Sequence, residues 1–135
     1  MSSDSFAEPA GPPATILFVE DEALIRMCMA AFLRECGYRV HEASHAAEAV
    51  EALQAKFAID LVFTDINLPG GMSGLELADW VLRNHAGVKV IVTTGRDPAA
   101  RLPREVGPLL AKPYTGRRLH ARIREALSLP DAFSS

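Results

Sequence analysis

Four apolar runs separated by stretches of helical periodicity dominate this chain. Thr15-Ile16-Leu17-Phe18-Val19 leads into Glu20-Asp21-Glu22, and the run beginning at Ile59 leads into Asp65. The run from Val88 to Thr93 leads into Thr94-Gly95, and the short Leu109-Leu110-Ala111 leads into Lys112-Pro113. Runs that are apolar at consecutive positions predict strands buried on both faces. Strands are expected over 15–20, 38–42, 60–64, 88–93 and 109–111. Between them lie segments with apolar residues at helical spacing. A first helix over 22–35 would turn Leu24, Cys28, Ala31 and Phe32 inward, with Gly37 at its C-terminal turn. A second, capped by Ser44, would bury Ala46, Ala49, Val50 and Leu53. A third over 75–84 would bury Leu75, Ala78, Val81 and Leu82. A fourth over 98–105 must be short, because Pro103 would break a longer one. A last helix, capped by Thr115 and reaching Leu127, would bury Leu119, Ile123, Ala126 and Leu127.

Five alternating βα units with right-handed crossovers predict an α/β fold, a flavodoxin-like doubly wound parallel sheet of order 2-1-3-4-5 with five helices. In such sheets ligands bind beside the carboxyl ends of the strands. Glu20, Asp21, Asp65, Thr94 and Lys112 would all meet there. Taken singly, each has an ordinary role: Glu22 can cap a helix, Asp65 can make a turn, and Lys112-Pro113 can be a solvated loop. Their placement on successive strand ends points instead to a shared site. Two carboxylates ~4 Å apart repel by about 4 kcal/mol at an effective dielectric near 20. A hard dication relieves that repulsion, and a few carboxylates plus water suit Mg²⁺. Asp65, ending a buried strand, is the candidate nucleophile toward phosphorus. Lys112 and the Thr94 hydroxyl would meet the phosphoryl oxygens, and Gly95 would leave room for close approach.

The 135 residues fit one domain, with 49% hydrophobic and 23% charged residues and a net charge of −3. That balance argues against a nucleic-acid binder, and no run approaches a membrane span. Residues 1–13, rich in Ser, Pro and Ala, are expected to be a disordered lead-in, 14–128 the folded domain and 129–135 a tail. Cys28 and Cys36 have neither redox nor zinc spacing, and are expected to pack as small hydrophobes in a cytoplasmic protein. The four histidines show no ligand spacing. Arg117, Arg118, Arg122 and Arg124 give the last helix a basic face.

These residues resemble the receiver domain of bacterial two-component response regulators. The carrying motifs are Ile-Leu-Phe-Val-Glu20-Asp21-Glu22, Leu-Val-Phe-Thr-Asp65-Ile-Asn67-Leu-Pro69, Val-Ile-Val-Thr-Thr94-Gly95 and Leu-Leu-Ala-Lys112-Pro113-Tyr114. The resemblance implies that Asp65 accepts a phosphoryl group from a phosphohistidine of a sensor histidine kinase or histidine phosphotransfer protein. It implies Mg²⁺ held by Asp21, Asp65 and the Asn67 carbonyl, with Glu20 acting through water, and a cis peptide at Lys112-Pro113. It implies a switch that catalyses only its own phosphorylation and dephosphorylation, and passes the signal to an unknown downstream protein. Several positions depart from the usual pattern. Glu20 stands where Asp is common, and the loop after Pro69 is longer. Leu109 replaces the switch aromatic, with Tyr114 on a different path. The stretch between Thr94 and Lys112 is short and broken by Pro98, Pro103 and Pro108. Asn67 and Arg96 would border the phosphoryl pocket and tune the lifetime of the acyl phosphate. The resemblance further implies that the first helix (Ala23, Leu24, Met27) and the Pro113-Tyr114 loop dock the kinase. The few residues after Leu127 suggest a stand-alone regulator. A phosphate sink without a target is the alternative within the family. A haloacid-dehalogenase-like phosphatase would need an acid where Asn67 stands.

Overall fold

The computed structural model describes residues 13–55, 58–95 and 110–128. The strands are β1 (Thr15–Val19), β2 (Arg39–Ala43), β3 (Leu61–Asp65), β4 (Lys89–Thr94) and β5 (Leu110–Ala111). The helices are α1 (Ala23–Glu35), α2 (Ala46–Gln54), α3 (Gly74–Asn84) and α4 (Gly116–Ser128). All strand pairs are parallel and the order is β2-β1-β3-β4-β5, as the alternating pattern requires. The short helix expected over 98–105, together with Arg96, Leu109, residues 1–12 of the lead-in and the tail, lies outside the described residues.

Because side chains alternate across a strand, each central strand feeds two cores. Leu17, Val19, Val62, Val90 and Val92 pack with α2 and α3. Ile16, Phe18, Leu61, Phe63 and Ile91 pack with Leu33 of α1 and with Leu119 and Ile123 of α4. Phe18 and Phe63 stack with centroids 4.7 Å apart, and the Tyr114 ring meets Phe63 edge-on at 5.6 Å. On the opposite layer, Trp80 of α3 packs against the α2–α3 core and lies 5.3 Å from the His85 ring.

Helix ends follow local chemistry, with some differences from expectation. Gly37 has φ +105 and its N–H reaches the Arg34 carbonyl, which closes α1. Thr115 caps α4 by accepting from the Arg118 N–H. Ser73 and Glu76 form a reciprocal capping box at α3, the Ser-x-x-Glu signature that the sequence carries. Ser44 is not the cap of α2. His45 occupies that position, and the Glu48 carboxylate accepts from the Ser44 N–H and hydroxyl. Those bonds hold the Glu48 carboxyl below its ordinary value. Glu22 is at the N-cap of α1 but makes no side-chain cap bond.

The buried stripe of α1 also differs. Ala30 and Leu33 are buried, whereas Leu24 (75% exposed), Cys28 and Ala31 face solvent. Residues 23–33 are apolar nearly all round, so periodicity alone could not select the inward face. In α3 the buried residues are Gly74, Leu77, Ala78 and Val81, with Leu75 and Leu82 only partly covered.

Candidate functional site

Parallel register builds the site. Val19 of β1 pairs with Thr64 of β3, which sets Glu20 beside Asp65 at the carboxyl edge. Asp65 pairs with Thr93, and Thr94 pairs with Ala111, which brings Thr94 and Lys112 to the same edge. Asp65 and Thr94 are 5% and 4% exposed, Glu20 is fully buried at 0%, and Asp21 is exposed.

Glu20, Asp21 and Asp65 each offer a carboxylate oxygen, and these atoms lie within 4.8 Å of one another. Lys112 Nζ donates to Asp65 Oδ2 at 2.6 Å and stands 3.6 Å from Glu20 Oε1. Asp65 Oδ1 accepts from the Asn67 N–H at 2.9 Å, and Glu20 Oε2 accepts from the Glu22 N–H at 3.0 Å. Burial raises the Glu20 carboxyl above its ordinary value, against the pull of the Glu22 amide and Lys112. Burial also weighs against the Lys112 ammonium. The hydrogen bond and charge of Asp65, joined by Glu20, outweigh it and hold Lys112 above its ordinary value.

Glu20 Oε1 is buried with no hydrogen-bond donor among the described residues. Lys112, 3.6 Å away, supplies one positive charge there, and three clustered carboxylates leave negative charge that a further cation would offset. An all-oxygen set with one member exposed to water fits Mg²⁺, which keeps part of its hydration shell.

The residues picked from strand ends therefore converge: Glu20, Asp21, Asp65, Asn67, Thr94 and Lys112 line one edge. Lys112–Pro113 is cis. Gly95 lies beside Lys112, where an added Cβ would meet Lys112 Cβ at an ordinary 3.5 Å.

Two contributors, Gly74 and Arg26, escaped the sequence reading, and Tyr114 enters it only as part of a docking loop. A Cβ on Gly74 would fall 1.7 Å from the Asp65 carbonyl oxygen, so α3 starts directly against the acceptor's main chain. Arg26 Nη1 donates to the Glu20 carbonyl at 2.9 Å. The Tyr114 hydroxyl is buried without a partner among the described residues, and burial, then the charges of Glu20 and Asp65, push it well above the ordinary phenol range.

Residues 16–124 match the response regulator receiver domain. The chain belongs to that family. As a receiver domain it is 40% identical over 117 residues to the aerobic respiration control protein ArcA of Escherichia coli K12, covering 84% of this chain and 48% of ArcA. It is 34% identical to the sensor kinase CckA of Brucella abortus, covering 87% of this chain and 13% of that protein. The chain thus spans about half the length of ArcA or less of these curated relatives. A CheY-like receiver domain from Methanospirillum hungatei superposes with TM-score 0.75 at 30% identity, over 85% of this chain and 94% of that one. The receiver domain of NtrX from Brucella abortus gives TM-score 0.75 at 31% identity, over 83% and 97%. Receiver domains are phosphorylation-dependent signalling switches that work with histidine kinases or phosphotransfer proteins, and are not enzymes in the ordinary sense.

Proposed function

We propose that Asp65 is the phosphoacceptor of this receiver and that Glu20, Asp21, Asp65 and Asn67 hold the Mg²⁺ it uses. The observation that carries the reading is the contact of 2.6 Å between Lys112 Nζ and Asp65 Oδ2, beside two further carboxylates. In the transfer, an Asp65 carboxylate oxygen forms a bond to phosphorus as the phosphorus–nitrogen bond of a phosphohistidine breaks. The electron pair returns to the imidazole, which takes a proton from water. Bound Mg²⁺ would offset charge on the phosphoryl oxygens. Lys112 would move from the carboxylate to one of those oxygens, and Thr94 would donate to another. The Asn67 N–H fixes Asp65 Oδ1 and leaves the other oxygen to Lys112.

The partner would approach over α1. Leu24 and Met27 are 75% and 58% exposed. An apolar groove of about 640 Å³, lined by Leu24, Cys28, Met29, Pro113 and Tyr114, opens beside Lys112. These features suit the apolar face of a histidine-bearing helical bundle. The phosphorylated form would then shift an existing equilibrium between two conformations and alter protein contacts.

Intact-mass measurement after incubation with Mg²⁺ and acetyl phosphate tests this reading. One phosphoryl adduct is expected on the parent and none on Asp65→Asn. An equal adduct on Asp65→Asn, or none on the parent, would overturn it.

A further inference from the structure

Glu20 is held from several directions, and each restraint has its own source. Its N–H donates to the Ala43 carbonyl of β2 at 3.0 Å. Its Oε2 takes the Glu22 N–H at 3.0 Å, and its carbonyl takes Arg26 Nη1 at 2.9 Å. Its Oε1 accepts no hydrogen bond among the described residues and lies 3.6 Å from Lys112 Nζ.

The Arg26 contact is itself braced. Its Nε lies 3.4 Å from Glu42 Oε1 on β2, with the arginine side chain 18% exposed. The other oxygen of Glu42 pairs with Arg34 Nη1 at 3.2 Å, and Arg34 Nη2 donates to the Val40 carbonyl at 2.8 Å. Edge strand β2 and helix α1 are thereby tied together, and the tie ends on the main chain of a residue of the acidic cluster. The planar fork of a guanidinium lets one group serve the Glu42 carboxylate and the Glu20 carbonyl together, which an ammonium does less well.

We infer that Arg26, braced by Glu42, is a positioning residue that sets the orientation of Glu20 and through it the cation affinity of the acidic cluster. The inference rests on the reading of that cluster as a Mg²⁺ site. Groups that orient metal ligands typically change affinity 10- to 100-fold when removed. Arg26 acts on the main chain of one acid among three, so the low end applies.

The sign of the effect separates positioning from charge. If Arg26 acted only as a nearby cation, its removal would favour a dication and lower the Kd. Positioning requires the Kd to rise.

Titration calorimetry with MgCl₂ on the full chain measures this directly. Arg26→Met is expected to raise the Kd about tenfold. At saturating Mg²⁺ its phosphorylation rate with acetyl phosphate should return to near the parent value, since the acceptor itself is untouched. Arg26→Lys keeps the charge and should fall between the two. An unchanged or lower Kd in Arg26→Met overturns the inference. Should that variant fail to fold, a folded Arg26→Lys with the parent Kd overturns it, and one with a raised Kd supports it. A parent chain that binds no Mg²⁺ overturns both this inference and the reading of the site, whereas a binding parent with indifferent variants overturns this inference alone.

Discussion

Gly74 offers the sharpest perturbation of the acceptor without touching its side chain. A Cβ there would lie 1.7 Å from the Asp65 carbonyl oxygen, 2.6 Å from its carbonyl carbon and 2.8 Å from Ile66 Cα. The first of these is roughly 1.8 Å short of the separation at which nonbonded atoms rest. Every atom struck is main chain, so no rotamer change relieves the clash. Either α3 must withdraw or the end of β3 must move, and the 2.8 Å bond from the Gly74 N–H to the Ile66 carbonyl goes with it. Overpacking costs about 1–3 kcal/mol. Alanine regains roughly 0.5–1 kcal/mol in a helix relative to glycine. With rigid backbone on both sides the upper end of that cost applies, and a net loss of about 2 kcal/mol is expected for Gly74→Ala. Displacement of Asp65 by the order of 1 Å would also slow phosphorylation by about 10²-fold. Gly71 is the internal control, because a Cβ there meets nothing within 4 Å. Urea denaturation gives the stability, and the rate of adduct formation with acetyl phosphate gives the chemistry. If Gly74→Ala matches Gly71→Ala in both, the packing argument is wrong.

Three other outcomes follow from the same geometry. Tyr114→Phe removes a buried, unpartnered hydroxyl, and should raise stability in urea by about 1 kcal/mol; a loss would show that the hydroxyl has a partner in solution. Glu20 has a raised pKa in the fold, so its contribution to stability is full below the ordinary Glu value and is lost as pH rises through the raised value. In EDTA at pH 7, Glu20→Gln should therefore melt higher than the parent, with the gap closing on acidification, and should bind Mg²⁺ more weakly. Lys112→Ala removes the cation that shares Asp65 and Glu20. It should bind Mg²⁺ more tightly by calorimetry yet form the phosphoryl adduct at least tenfold more slowly; unchanged adduct formation would remove Lys112 from the chemistry.

Much of the fold and the chemical edge was legible in the sequence for one reason. Strands buried on both faces must be apolar throughout, so the first polar residue after each, such as Glu20, Asp65 or Lys112, marks the sheet's edge. Parallel register then levels those edges, which the order of the units already implies. The α1 stripe was not legible, because an almost wholly apolar helix gives periodicity nothing to distinguish. Gly74 and Arg26 escaped because each acts on a main-chain carbonyl, and no side-chain pattern records where a carbonyl lies. The role of Tyr114 depends on the Phe63 ring it leans against, a contact between segments far apart in the chain.

The placement of Trp80 has a practical side. It is the single tryptophan, and it sits on the α2–α3 layer with His85 as its aromatic neighbour, while Phe63 and Tyr114 occupy the other layer beneath the acids. The indole is therefore screened by the sheet from the aromatic slab under Asp65. Its emission should track the packing of α2 against α3 more closely than the loading of the carboxylates. Intrinsic fluorescence would be a nearly silent gauge of this switch, and an optical readout would need a chromophore introduced on the α1 side.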